Sequence, residues 1–189
     1  MLKKLVIFGS GTGSNARNIC EKFKNHPTIQ VVALLSNKPQ LGFEAIANHY
    51  QIPCIKLQKT DLNNESYWRD FQKQYQPDLV VLAGFLWLIS PVLLKHLPQI
   101  INIHPALLPK FGGKGLYGHF VHEAVVLSNE KQSGITIHWV NEHYDEGKTI
   151  AQFTCDVPPT RNAVELDQLI RQLEQTHFAT TIENLLNHD

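Results

Sequence analysis

Leu5-Val6-Ile7-Phe8-Gly9-Ser10-Gly11-Thr12-Gly13-Ser14-Asn15 is the stretch on which the fold turns. Its first four residues are apolar and two of them are β-branched, so they read as a buried strand. The glycines that follow read as a tight turn, and Ala16 to Lys24 as a helix. Strand, glycine turn and helix make the first half of a β-α-β unit, and the sequence goes on to repeat it. Ile29–Leu35, Pro53–Leu57, Leu79–Ala83 and Ile100–Ile103 each read as a further buried strand, with amphipathic helical patterns between them. One such pattern puts Tyr67, Trp68, Phe71 and Tyr75 on a single apolar stripe, with Asp61 as the expected cap. This alternation predicts an α/β, Rossmann-like single domain: a mostly parallel twisted sheet, helices on both faces and right-handed crossovers. Beyond residue 130 the pattern changes. Gly134–Val140 and Thr149–Thr154 read as two strands of a hairpin around Asp145-Glu146-Gly147, and Leu166, Leu169, Ile170, Leu173, Ile182, Leu185 and Leu186 trace a long terminal helix.

With 189 residues, 43% of them hydrophobic, the chain can bury one sizeable core. Seventeen basic and seventeen acidic side chains cancel, so no overall field recruits nucleic acid or an anionic membrane, and small-molecule partners are expected instead. The apolar run at the amino terminus is too short for a signal peptide or a membrane span, which makes the expected location cytoplasmic. Cys20, Cys54 and Cys155 are odd in number and scattered, without a Cys-x-x-Cys pair; they suit a reducing compartment and read as core fillers.

The chemistry concentrates in Ile100-Ile101-Asn102-Ile103-His104-Pro105. Pro105 cannot continue a β ladder, so the strand ends there. Asn102 and His104, at i and i+2, then share a face at its carboxyl end, where open α/β sheets build their sites. An amide offers two N–H donors, and an imidazole exchanges a proton near neutrality. Asp145 stands two residues before a glycine, as turn-capping carboxylates do. Folded over the ends of the central strands, it would favour and orient a His104 imidazolium. The loop from Gly9 to Asn15 would let backbone N–H groups approach an anion at a helix amino terminus, a candidate phosphate cradle; a plain strand-to-helix turn capped by Ser14 would use the same residues. The dinucleotide fingerprint needs glycine where Ser14 stands, and Ser36-Asn37-Lys38 lacks an acidic ribose partner, so no nicotinamide cofactor is expected. His119 and His122 lie at i, i+3 in no metal motif, so no metal is expected either. His138 stays open between core and cleft.

Gly9 to Asn15, Leu82-Ala83-Gly84-Phe85, Asn102 to Lys110, Gly134 to His138 and Asp145-Glu146-Gly147 together resemble the folate-dependent formyltransferases. The glycine-rich loop and the compact length favour the branch that acts on glycinamide ribonucleotide. The resemblance implies one formyltransferase domain over 1–189, with a phosphate-binding half at 1–100 and a catalytic, folate-binding half at 101–189. It implies 10-formyltetrahydrofolate as co-substrate, giving its formyl group directly to the primary amine of N1-(5-phospho-D-ribosyl)glycinamide in de novo purine (IMP) biosynthesis, with no metal and no covalent intermediate. In it Asn102 and His104 would stabilise the oxyanion and donate a proton, while Asp145 would tune His104 and relay protons. Gly13, Ser14 and Asn15 would hold the substrate phosphate, helped by Arg171 and by Glu174, the latter at the ribose hydroxyls. Leu86, Trp87, Leu88 and Ile89, with Asn102, Asn141, Glu142, His143, Tyr144 and Asp145, would form the folate slot. Trp87 stands where members often carry a basic residue, and Asn64 at a position that can also be basic. The loop Phe111 to Tyr117 is longer than usual.

A monomer or a homodimer is expected. The competing expectations are a sugar-amine or methionyl-tRNA formyltransferase-like enzyme, a formyl-folate hydrolase, and a non-catalytic regulator that uses only the phosphate loop. The tRNA enzyme and the hydrolase usually carry an added domain.

Overall fold

A computed structural model of the chain describes residues 2–97 and 99–187. Seven strands, β1 Lys3–Gly9, β2 Ile29–Ser36, β3 Cys54–Lys56, β4 Leu79–Leu82, β5 Ile100–His104, β6 Gln132–Trp139 and β7 Thr149–Asp156, form one sheet in the order β3-β2-β1-β4-β5-β6-β7. β1 to β5 pair in parallel, and β6 and β7 are added antiparallel as the expected hairpin. Among the described residues six α-helices accompany them: α1 Ser14–Phe23, α2 Phe43–Tyr50, α3 Glu65–Tyr75, α4 Pro91–His96, α5 His119–Leu127 and α6 Ala163–Asn187.

Strand alternation sorts the core into two layers. Leu5 and Ile7 of β1 face α1, α2, α5 and α6 on one side, and Val6 and Phe8 face α3 and α4 on the other. Burial on both faces is why the parallel strands read as unbroken apolar runs rather than as alternating ones. The stripe on α3 packs as expected: Trp68 is fully buried, stacked on Phe8 and edge-on to Phe71.

Two capping expectations are corrected. The α3 cap is Asn64, whose Oδ1 accepts from the Tyr67 N–H at 3.1 Å, whereas Asp61 starts a short 3₁₀ turn and accepts from the Gln58 N–H at 2.8 Å. A cap reaches only the second or third helical N–H, so the residue adjoining the helix wins. Ser14 is the first residue of α1 rather than its cap. Gly13 precedes it at φ +80°, a left-handed backbone that glycine adopts without strain, and no side chain caps the helix. Of the three free thiols, Cys20 alone is a core residue, and burial pushes it up to about 12; Cys54 and Cys155 are half-buried.

The chain adds β2 and β3 on one side of β1 and then returns to place β4 on the other. Connections after β1 and β4 therefore depart in opposite directions and leave a crevice at the carboxyl ends of these strands. Two bonds tie the loops that bound it: the Ser10 N–H donates to the Gly84 carbonyl at 3.0 Å, and the Leu86 N–H to Ser10 Oγ at 3.1 Å.

The Trp68 indole N–H has no partner among the described residues. Trp68→Ala is expected to cost about 3–5 kcal/mol through the cavity it leaves. Trp68→Phe, which also removes an unsatisfied donor, is expected to cost clearly less. Urea denaturation of both variants checks this order.

Candidate active site

β5 and β6 pair so that Asn102 lies opposite His138, and His104 opposite Thr136. Ile101, Ile103, Ile135 and Ile137 enter the core under α5 and α6, which turns Asn102, His104, Thr136 and His138 to the other face. The Trp139 carbonyl accepts from His138 Nδ1 at 2.9 Å, so Nδ1 carries the proton and Nε2 is left to accept from the Asn102 amide nitrogen at 3.2 Å. His138 thereby orients the amide and leaves its second N–H to the cleft.

His104 has an oxygen beside each ring nitrogen. Nε2 donates to the Phe111 carbonyl at 2.8 Å, and Nδ1 lies 3.5 Å from Asp145 Oδ2. The loop between β6 and β7 does fold over the strand ends, as the turn-partner reading of Asp145 requires. Asp145 takes a left-handed backbone, φ +59°, which a short polar side chain tolerates. Its Oδ2 accepts from the Gly113 N–H at 2.9 Å, and its Oδ1 lies 3.6 Å from His138 Nε2. Gly147 permits this turn because a Cβ there would strike the Trp139 backbone oxygen.

Burial is the largest influence on both ionisable partners. It pushes the His104 imidazole below its ordinary 6.5, against the pull of the Asp145 carboxylate and the Phe111 carbonyl. It would push the Asp145 carboxyl up, but His138, His104 and the Gly113 N–H outweigh it and hold the group below its ordinary value. Near neutrality the site is an anion beside a histidine biased toward its neutral form.

The glycine-rich loop and α6 build the other end of the same cleft, whose volume is about 580 Å³. Asn15 Nδ2 donates to Glu174 Oε2 at 2.9 Å, and its Oδ1 accepts from Gln175 Nε2 at 3.1 Å. The Asn15 side chain is thus committed to α6, which leaves the backbone N–H groups of the first α1 turn for an anion. Burial raises the Glu174 carboxyl above its ordinary value, and Arg171 lines the cleft one helical turn away.

Leu86, Trp87, Leu88 and Ile89 line the cleft, as do Asn141, His143 and Tyr144 of the loop between β6 and β7. Glu142 does not line the cleft: its side chain is 61% exposed, 3.7 Å from His143 Nε2. Trp87 lies edge-on to Phe85, with ring centroids 5.9 Å apart. Four groups escaped the sequence reading: His138 as the partner of Asn102, the Phe111 carbonyl, His122 and Asp167. For His138 the signal was its alternation with Ile135 and Ile137, but using it requires the β5–β6 register, which pairs residues 36 positions apart.

Residues 3–182 match the formyl transferase family. The chain belongs to this family. It is 42% identical over 182 residues to the chloroplastic phosphoribosylglycinamide formyltransferase of Arabidopsis thaliana, covering 93% of this chain and 62% of that protein. It is 31% identical over 191 residues to the phosphoribosylglycinamide formyltransferase of Bacillus subtilis, covering 98% and 95%. The chain therefore spans about three fifths of the length of the plant relatives, 62% and 61% for the Arabidopsis and Vigna proteins, and nearly all of the Bacillus one. Among solved structures, glycinamide ribonucleotide transformylase 1 from Geobacillus kaustophilus superposes with a TM-score of 0.87 at 30% identity, covering 98% of this chain and 100% of that one.

Burial lowers both His104 and His122 from 6.5, so the unfolded chain binds more protons as pH falls through that value, and folding stability rises with pH across the window. Glu174, raised in the folded state, works in the opposite sense from its ordinary 4.5 upward. Melting at about pH 7.5 and about pH 5.5 is expected to give the lower Tm at the acid end, and His122→Gln is expected to flatten the difference.

Proposed function

We propose that this chain transfers the formyl group of 10-formyltetrahydrofolate to the primary amine of N1-(5-phospho-D-ribosyl)glycinamide, a step of de novo purine synthesis. The observation that carries the reading is one cleft with two unlike ends: the Asn102, His104 and Asp145 cluster at one, and the glycine-rich amino terminus of α1 with Arg171 and Glu174 at the other. The names borne by the relatives support it. Gly13, Ser14 and Asn15 receive the phosphate through backbone N–H groups and Arg171 supplies the positive charge, while Glu174 meets the ribose hydroxyls. The apolar wall from Leu86 to Ile89 and the loop 141–145 receive the flat pterin.

In the proposed reaction the neutral amine attacks the formyl carbon, a new C–N bond forms, and negative charge collects on the formyl oxygen. The Asn102 N–H and the His104 Nε2–H face that charge. The formyl oxygen takes the place that the Phe111 carbonyl holds at His104 Nε2. The bond from carbon to folate nitrogen then breaks as a proton passes from the new ammonium toward the departing nitrogen, with Asp145 as its relay through water. Asp145 also makes His104 easier to protonate as charge builds on the oxygen. A reducing, cytosolic location and a monomeric or homodimeric state belong to the same proposal; the free thiols support the first.

Incubation with glycinamide ribonucleotide and the formyl-folate, followed by mass analysis, is expected to give the N-formyl nucleotide. Asn102→Ala is expected to add about 2.7–4 kcal/mol to the barrier. His104→Ala and Asp145→Asn are each expected to lower kcat by about a hundred- to ten-thousandfold in folded protein. Formylation of a sugar amine in preference to the ribonucleotide, or near-wild-type turnover in either histidine or aspartate variant, would contradict the proposal.

A further inference from the structure

Two side chains of the cleft wall that the proposed function leaves unused, His122 and Asp167, are linked in a line to Arg171. His122 of α5 is 1% exposed, and its Nε2 lies 3.2 Å from Asp167 Oδ1. The other oxygen, Asp167 Oδ2, accepts from Arg171 Nε at 2.7 Å, one turn along α6. Both carboxylate oxygens are therefore engaged, one by a buried histidine on a neighbouring helix and one by the side chain of a cleft cation.

The arrangement is specific in what it leaves free. A guanidinium has five N–H donors in a rigid plane, and fixing Nε fixes the plane while the two terminal nitrogens remain displayed. Arg171 would otherwise be a long, half-exposed side chain with many rotamers, its side chain being 58% exposed. Asp167, Arg171 and Glu174 fall at i, i+4 and i+7, on the stripe of α6 that lines the cleft, and Glu174 is bonded to Asn15 beside the glycine-rich loop. Among the described cleft-lining residues the permanently charged cations are Lys114 and Arg171, and Arg171 stands on the helix that touches this loop. His122 Nε2, turned to the other carboxylate oxygen, is placed to anchor Asp167 from α5.

We propose that Asp167 is a positioning residue for the substrate phosphate, holding the Arg171 guanidinium toward the glycine-rich loop, and that His122 anchors Asp167 from α5. The inference rests on the proposed phosphate role of Arg171, and its effect is on binding of a phosphate monoester rather than on formyl chemistry. Asp167 and His122 touch no reacting atom.

Isothermal titration with ribose 5-phosphate, with ribose as the phosphate-free control, tests it without requiring turnover. Asp167→Ala is expected to weaken ribose 5-phosphate binding about tenfold, the scale of one lost charge-assisted hydrogen bond, with no change in the response to ribose. In an Arg171→Ala background, Asp167→Ala is expected to add nothing, because it acts through that arginine. His122→Gln, which keeps a donor near the Nε2 position, is expected to retain binding that His122→Leu loses, and thermal melts identify any variant that fails to fold. Unchanged binding in Asp167→Ala, a full additive loss in the Arg171→Ala background, or no phosphate-dependent binding by the wild-type chain would overturn the proposal. Wild-type protein that binds ribose 5-phosphate in this pattern but forms no formyl nucleotide would instead refute the proposed function and leave the positioning role standing.

Discussion

Asp145 is a carboxylate with only 11% of its side chain exposed, and three separate segments meet at it. The Gly113 N–H is donated to it from the loop after β5, His104 stands beside it at the end of β5, and His138 approaches it from β6. A buried anion is costly unless it is hydrogen-bonded, and the Gly113 N–H supplies that bond, so the carboxylate holds the loop after β5 against the ends of β5 and β6. Gly112 shows how closely they fit, since a Cβ there would press on the Leu108 side chain and on Asp145 itself. The same carboxylate sets the electrostatics of the cleft, opposing the effect of burial on His104. Structure and proposed chemistry thus draw on one ion.

Much of this could be read from the chain. The strands announce themselves because both faces of a parallel sheet are covered, which makes β1, β2 and β4 continuous apolar runs, and the Pro105 stop places Asn102 and His104 at a strand end. The switch from parallel to hairpin strands is visible in the turn residues around Gly147. The approach of Asp145 to His104 was a conditional reading whose condition the fold satisfies.

What escaped depends on register and backbone. Asn102 and His138 meet only because β6 runs antiparallel to β5, a pairing that composition does not encode. The Phe111 carbonyl carries no side-chain signature at all, yet it occupies one nitrogen of His104. Asp61 and Asn64 are chemically similar caps three residues apart, and the choice between them is made by where α3 begins. Glu142 sits in a run whose neighbours line the cleft, but its own side chain turns to solvent. The His122–Asp167 contact joins two helices whose mutual packing is a tertiary fact.

If Asp145 governs the site as argued, its charge must be felt at His104. Imidazole titration by NMR in the wild-type chain and in Asp145→Asn, which keeps the shape and removes the charge, measures this directly. The account predicts a His104 midpoint shifted further down in Asp145→Asn, because burial then acts unopposed by the carboxylate. A midpoint that stays in place or moves up would contradict it.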